Sequence, residues 1–403
     1  MANSFPRSLW PLASLRFAVL ACASLFLQRL LYKATYALGW GLSSPRTVEG
    51  DVHLFFGWVE AIVAGRSPYL DFPIPYPPVA LLVTLLPGTM ARSYLAYLAA
   101  FSLLMLAASA ALFALTEHFA RSFNRDARSV LNWLTAFLTP LVCLVLWRFD
   151  VLVAVTILGA LLLLARARPG AAGVVAAVGA LIKLIPALVL VLPVLRFRLE
   201  PRPALRSLTG FFVTIAVSIL AWFAFAGPSL YASFRIHSHR GLEFGSLGAG
   251  LLLLLGQFAP HSVRVVGSNP CICVEVEHPW APVLSAAALP LQALALSLAS
   301  VWITLRRDRN DARDAALLLL AYIVSGKVLS PQYLIWVAPL VAFLPLLRWP
   351  FLAACFLSTV VYPIGFELLL NQAAWPIVAL NLRNAILVYC VWLIVSPASS
   401  RVD

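Results

Sequence analysis

Apolar runs long enough to cross a bilayer recur along the whole chain, and this recurrence constrains the fold more than any other feature. A helix needs about 20 apolar residues to span the hydrocarbon core. Residues 15–37, 93–116, 129–147, 206–226, 280–305, 350–370 and 377–396 meet that need, and 151–165, 313–327 and 332–347 are shorter candidates. A further run, 171–195, is interrupted by Lys183 and Pro186. With 62% hydrophobic and only 11% charged residues, the chain carries more apolar surface than a water-soluble core can bury. The fold class expected is therefore an all-α integral membrane protein.

The formal net charge of +13 would suit a nucleic-acid partner in a soluble protein. Here the arginines gather at the ends of apolar runs: Arg121/Arg125/Arg128, Arg166/Arg168, Arg196/Arg198/Arg202/Arg206 and Arg306/Arg307/Arg309/Arg313. That is the pattern of cytoplasmic ends in a multi-spanning protein, and it argues against nucleic acid. If these clusters share one side, residues 78–90 ("PVALLVTLLPGTM") cannot be a crossing. The stretch is short, Pro87 ends it, and its place is an interfacial or re-entrant helix at the outer face. The run 171–195 must go out and return, turning near Lys183–Pro186, and 246–258 is a second short outer piece. The count becomes about 12 spans with both termini inside, in one membrane domain over 1–403. Arg7 and the apolar run Phe17–Leu27 read as a retained first span, not a cleaved signal.

The outer face then gathers 38–92, the turn 148–150, the turn near Lys183, the loop 227–279, the turn 327–331 and 367–376. Among three lysines and 26 arginines, Lys183 and Lys327 fall at such turns. An ionisable group at that depth is costly unless it is paired or serves a function, and a lysine there suits an anion such as phosphate. Arg148 and Asp150 in "LWRFDVLVA" either pair with each other, with Asp150 capping the helix from Val151, or take part in a site. In "SFRIHSHRGLEFGS", His237 and His239 sit near Arg235, Arg240 and Glu243. They suit hydrogen bonding to a sugar or phosphate, or a plain solvated loop; a metal would need a third converging ligand. Gln332, Tyr333 and Trp336 in "GKVLSPQYLIW" fit an interfacial aromatic belt or a sugar pocket that stacks a ring and binds hydroxyls. Cys271 and Cys273 lie in a polar loop, paired with each other or free; Cys22, Cys143, Cys355 and Cys390 lie in apolar runs and read as packing residues.

The most informative stretch is residues 49–78, "EGDVHLFFGWVEAIVAGRSPYLDFPIPYPP". Leu54, Trp58 and Ile62 recur at helical spacing, which makes Asp51 an N-cap candidate. Gly65, Ser67-Pro68 and Pro75 supply turn chemistry, and Pro77-Pro78 a helix start. The segment therefore reads as two juxtamembrane helices joined by a turn, within an outer loop 38–92 that holds a carboxylate at the membrane boundary. Asp51 is the leading candidate, with His53 as its helper and Tyr76 in the aromatic-proline run beside it. Glu60 and Asp71 read as helix and loop polar groups.

Taken together, "GD" after the first span, "GRSPY…YPP", "RFDVLVA", "ALIKLIPALVLVLP" and "GKVLSPQYLIWVAPL" resemble the polyprenyl-phosphate-sugar-dependent glycosyltransferases of the GT-C fold. The nearest subgroup is glycosyltransferase family 87, which includes mannosyltransferases and an arabinofuranosyltransferase. The resemblance extends over about residues 45–345. It implies a multi-pass protein of the bacterial cytoplasmic membrane with an outward-facing active site. An acidic residue of the first outer loop, here Asp51, acts as general base. A basic residue, here Lys183 with Lys327 and Arg148 beside it, grips the lipid phosphate. The implied partners are a polyprenyl-phosphate sugar donor, mannose first, a glycolipid or glycan acceptor, and membrane lipids. Where mannosyltransferase members carry a histidine-rich run after the late serine-proline, this chain has "SPQYLIW", so sugar and acceptor are left open.

The residues support the same chemistry without the family. A carboxylate within reach can take the proton of an attacking hydroxyl, and cations can stabilise the departing phosphate. One carboxylate without a second nucleophile points to single displacement with inversion. No cofactor or metal is called for. The competing class, a secondary transporter of a small polar or anionic solute, predicts midplane helix breaks and a two-halves repeat, and neither is visible. A third class, an acyltransferase or ligase acting on lipid, would work without a polyprenyl-phosphate sugar.

Overall fold

A computed structural model of the chain describes residues 8–37, 49–227, 240–259, 262–268, 273–306 and 308–396, together with Tyr231 and Ile236. The first helices are α1 (Trp10–Ala37), α2 (Gly50–Val63), α3 (Pro78–Gly88), α4 (Tyr94–Ser122), α5 (Ala127–Leu138), α6 (Val142–Trp147), α7 (Asp150–Ala165) and α8 (Pro169–Ala180). They are followed by α9 (Val191–Leu195), α10 (Pro201–Ala226), α11 (Leu247–Gly256), α12 (Ala281–Leu305), α13 (Asp311–Ser325), α14 (Leu334–Val341), α15 (Arg348–Thr359), α16 (Phe366–Leu370) and α17 (Ala374–Val395). Tight helical turns at Ile185–Leu190 and Pro331–Tyr333 lead into α9 and α14. Between α11 and α12, β1 (Arg264–Ser268) pairs antiparallel with β2 (Cys273–Glu277).

The protein is a multi-pass membrane protein, mostly helical. Among the described residues six helical stretches are long and apolar enough to cross a bilayer: Trp10–Thr35, Tyr94–Ser122, Pro201–Phe225, Ala281–Leu305, Pro345–Ile364 and Ala374–Val395. The count of about 12 is therefore not reached by length, because several apolar runs are broken. Residues 171–195 divide as expected, into α8 and the segment from Ile185, with Lys183 in the turn. The 11-residue α3 and the 10-residue α11 are likewise too short to span. Residues 129–147 break at Thr139–Leu141, since Pro140 has no N–H to continue the ladder.

A break buried among helices leaves carbonyls that need donors from elsewhere. Ser24 Oγ of α1 donates to Thr139 O (2.9 Å), and Gln28 Nε2 donates to Pro140 O (2.7 Å). Thr359 Oγ1 at the end of α15 donates to the same Pro140 carbonyl. The interruption is thus held open by two other helices.

Individual helices fix the polarity of the molecule. α7 runs from Asp150 to Arg166, α8 leads from Arg168 to Lys183, and α13 from Asp311 towards Lys327. One end of the bundle is therefore rich in arginine. There Arg196 pairs with Asp311 (2.5 Å), Arg309 with Glu200 (2.9 Å), and the buried Arg313 with Asp308 and Asp314. Hydrogen bonds from Arg306 and Arg313 hold the Asp308 carboxyl well below the usual carboxylate range. At the N-terminus of α1, buried Glu117 of α4 accepts the N–H groups of Leu9 (3.0 Å) and Trp10 (2.7 Å). It supplies the cap that α1 lacks.

The tightest helix pair is α8 with α10. A Cβ added at Gly173 would lie 1.9 Å from the Ser207 carbonyl oxygen, and one at Gly210 would lie 2.3 Å from that of Gly170. Small residues let the two backbones approach, as in other membrane helix pairs. A Gly173→Val substitution should force them apart, at a cost on the order of 1–3 kcal/mol. The expected outcome is a lower thermal unfolding midpoint in detergent. Gly57→Ala is the control, since a Cβ there meets nothing within 4 Å.

Candidate active site

At the end of the bundle away from the arginines lies a cavity of about 420 Å³. Its wall draws on α2, the Pro75–Pro77 stretch, the α6–α7 and α8–α9 turns, the loop before α11, the α13–α14 turn and Tyr362 after α15. Of the residues singled out in the sequence, Asp51, Tyr76, Arg148, Lys183, Lys327 and Gln332 line it. His53 does not; its ring stacks on Tyr94 with centroids 3.8 Å apart. His237 and His239 lie outside the described residues.

Asp51 stands in the first turn of α2 and is not its cap. Glu49 holds the N-cap position and uses its carboxylate elsewhere, pairing with Arg29 of α1 and accepting from Tyr94 Oη (2.8 Å). This clamp fixes where α2 begins. The buried face of α2 is Val52, Phe55, Trp58 and Val59, so of Leu54, Trp58 and Ile62 only Trp58 points inward. One turn beyond Asp51, the Phe55 ring packs on Phe149 (5.7 Å), and Tyr76 meets Phe149 edge-on (4.9 Å). The Asp51 carboxylate rises above this aromatic floor and pairs through Oδ2 with Arg148 Nε at 2.7 Å.

Arg148 and Asp150 do not pair with each other, and Asp150 is not a cap, because each is claimed from elsewhere. Arg148 is held to Asp51, and its Nη2 also donates to Tyr362 Oη (3.3 Å). Asp150, 1% exposed, accepts from Lys183 Nζ and Trp336 Nε1 through Oδ1, both at 2.7 Å. The Lys183 ammonium lies 5.1–5.7 Å from the ring centres of Phe149, Trp336 and Tyr333. It therefore enters the site already neutralised. Tyr333 and Trp336 stack at 4.0 Å and both line the cavity, so the "SPQYLIW" aromatics belong to its wall.

Two other cations on the wall have no carboxylate within ion-pair distance among the described residues. Lys327 Nζ donates to the Arg240 carbonyl, and Arg240 Nε is buried without a hydrogen-bond partner. Burial, and the charge of Arg240 beside it, push the Lys327 ammonium below its ordinary pKa. Glu243, 2% exposed, also lines the cavity, and burial raises its carboxyl. In the sequence Arg240 and Glu243 are residues of a polar loop, and nothing local distinguishes them from a solvated one. Sequence reasoning also passed over the fully buried Arg383 in the middle of α17, which holds the backbone behind the cavity. A signal was present there: Asn381, Arg383 and Asn384 together are a costly interruption in an otherwise apolar span. Cys273, also on the wall, is disulfide-bonded.

No curated protein and no solved structure matches the chain. The model of glycosyltransferase family 87 matches residues 74–331, more than half of the chain. The matched stretch contains Arg148, Asp150, Lys183, Arg240, Glu243 and Lys327, whereas Asp51 precedes it. A mostly helical multi-pass protein with polar groups converging at one end of its spans suits that GT-C membrane family, and the chain belongs to glycosyltransferase family 87.

Proposed function

We propose that the chain transfers one sugar, mannose first, from a polyprenyl-phosphate donor to a glycolipid or glycan acceptor at the outer face of the cytoplasmic membrane. The observation that carries this reading is the content of the cavity. It holds a carboxylate on a juxtamembrane helix, two cations with no carboxylate partner among the described residues, and a wall of aromatic rings. A sugar linked to a phosphate requires such a set: rings to stack on, cations for the anion, and a base for the incoming hydroxyl.

The Arg148 pair engages Asp51 Oδ2 and sets the direction of the carboxylate, which leaves Oδ1 for the acceptor. The acceptor hydroxyl attacks the anomeric carbon as its proton passes to Oδ1. The bond from that carbon to the phosphate oxygen breaks, and its electron pair stays on the phosphate. Lys327 and Arg240 meet the charge that develops there. Attack from the face opposite the phosphate inverts the anomeric configuration. Lys183, paired with Asp150, contributes mainly by building the wall.

Reading the interrupted helices as crossings gives about 12 passes, with α5 and α6 forming one and the segments 185–195 and 331–341 one each. Both termini then lie on the arginine-rich side, the cytoplasmic side by charge distribution. The disulfide at Cys273 agrees with an oxidising compartment on the cavity side.

Purified protein incubated with a panel of polyprenyl-phosphate sugars and glycolipid acceptors should transfer sugar from one donor class. No transfer from any donor, with solute moved across vesicles instead, would overturn the reading in favour of a transporter. Asp51→Asn should lower kcat by about 10²–10⁴-fold and, because it takes the carboxylate away from Arg148, should also lower the unfolding midpoint; a folded variant with wild-type rates would remove Asp51 from the mechanism. The two kinds of cation should respond differently. Lys327→Gln and Arg240→Gln should weaken donor use by about tenfold or more, the loss of a charge-assisted contact being on the order of 1.5–3 kcal/mol. Lys183→Met should instead lower the unfolding midpoint, because it strands a buried carboxylate, typically at about 3–5 kcal/mol.

A further inference from the structure

The transfer step uses one carboxylate, yet the cavity wall carries a second, Glu243. Its Oε2 is fully engaged, accepting the N–H groups of Leu329 (3.0 Å) and Gly245 (3.1 Å). Its Oε1 accepts no hydrogen bond from the described residues. Unlike the buried orphan Arg383 Nη1, Oε1 is not sealed away from the cavity.

The surroundings over-determine where that oxygen sits. On one edge, Glu243 N donates to Lys327 O (3.0 Å), which joins the loop to the α13–α14 turn. On the other edge, Phe244 N donates to Val274 O (3.1 Å) and Val276 N to Leu242 O (2.9 Å). Glu275 Oε1 accepts from Gly241 N at 2.9 Å, so the hairpin grips the loop by side chain as well. From behind, Arg383 Nη2 donates to Gly245 O (2.7 Å). At Gly245 the loop runs so close to the turn that a Cβ would lie 2.4 Å from Leu329 O.

A bracket for two backbone amides does not call for a charge. A glutamine oxygen would accept the same two bonds without the cost of burying a carboxylate. What the carboxylate adds is a strong second acceptor aimed into a polar cavity. Its neighbours on the loop and turn are Arg240 and Lys327, the two cations assigned to the donor phosphate. A sugar joined to that phosphate is the group within reach.

We propose that Glu243 is a specificity-determining residue that accepts, through Oε1, a hydrogen bond from one hydroxyl of the transferred sugar. The assignment rests on the glycosyl-transfer reading. Sites built around such a bond reject the analogue lacking the hydroxyl, because the buried acceptor is then left unpaired.

The test compares wild-type protein and Glu243→Gln on polyprenyl-phosphate donors with single hydroxyls removed, each measured as transfer rate and as equilibrium binding in detergent. Glutamine keeps an oxygen for Leu329 and Gly245 and turns an N–H₂ to the cavity, so the loop is retained while the acceptor becomes a donor. Wild-type protein should discriminate against one deoxygenated donor by about 10–100-fold, the worth of a hydrogen bond to a charged group. In Glu243→Gln that preference should fall to within about threefold, chiefly through loss of the parent donor. The inference is overturned if the variant keeps the wild-type ranking, or if it loses all donors equally. It is also overturned if wild-type protein binds every deoxygenated donor as well as the parent, a result independent of whether the variant folds. If no donor is transferred at all, the transfer reading fails, and the binding ranks alone decide the role of Glu243.

Discussion

The site depends first on the buried carboxylate of Asp150. A charge at that depth is tolerable only with good partners, and Asp150 has two, the Lys183 ammonium and the Trp336 indole N–H. Those contacts tie the start of α7, the turn after α8 and the first turn of α14 at one point. The rings that Lys183 faces and the ring stack of Tyr333 on Trp336 follow from that junction. Because Asp150 takes Lys183, Arg148 is left for Asp51, and the positive charge not consumed by pairing falls to Arg240 and Lys327. The division of labour among the cations is thus set by one acid that does not itself line the cavity.

Much of this could be read from the chain, for a definite reason. Lipid allows few solutions, so apolar length and arginine placement alone located α3, α11 and the Lys183 turn as pieces that do not span. The grouping of polar residues at one end of the spans followed, and Asp51, Tyr76, Arg148, Lys183, Lys327 and Gln332 line one cavity there. Pairing was harder to read. Arg148 and Asp150 are two residues apart, and sequence distance favours a local bond. In the structure their partners come from α2 and from the turn after α8. Glu49 was overlooked because it looks like a loop acid, although it is nearly buried and clamps α2 to α1 and α4. Which face of α2 is buried is not legible in the sequence, because Leu54 and Ile62 are as apolar as Val52 and Val59. Only packing against the neighbouring helices decides which side is inward.

The loop at 240–246 shows the same limit. In sequence it is a polar stretch beside histidines, and a solvated reading serves as well as any other. Its character comes from strands and turns thirty or more residues away, which satisfy its backbone on both edges and leave one carboxylate oxygen over. That oxygen is set apart by its hydrogen bonding, not by residue type.

The Pro140 interruption also bears on how such a protein is made. The carbonyl of Pro140 takes donors from Gln28, which emerges 112 residues earlier, and from Thr359, which emerges 219 residues later. Likewise Asp150 acquires Lys183 after 33 residues but waits 186 for Trp336. During synthesis the early helices therefore enter the bilayer with polar groups that are only half served. The cavity takes its final shape when the C-terminal third of the chain arrives. A nascent chain halted before α14 would carry Asp51, Arg148 and Lys183 and still lack the parts of the cavity wall that Trp336 and Tyr362 supply, so the cavity is completed only as translation nears its end.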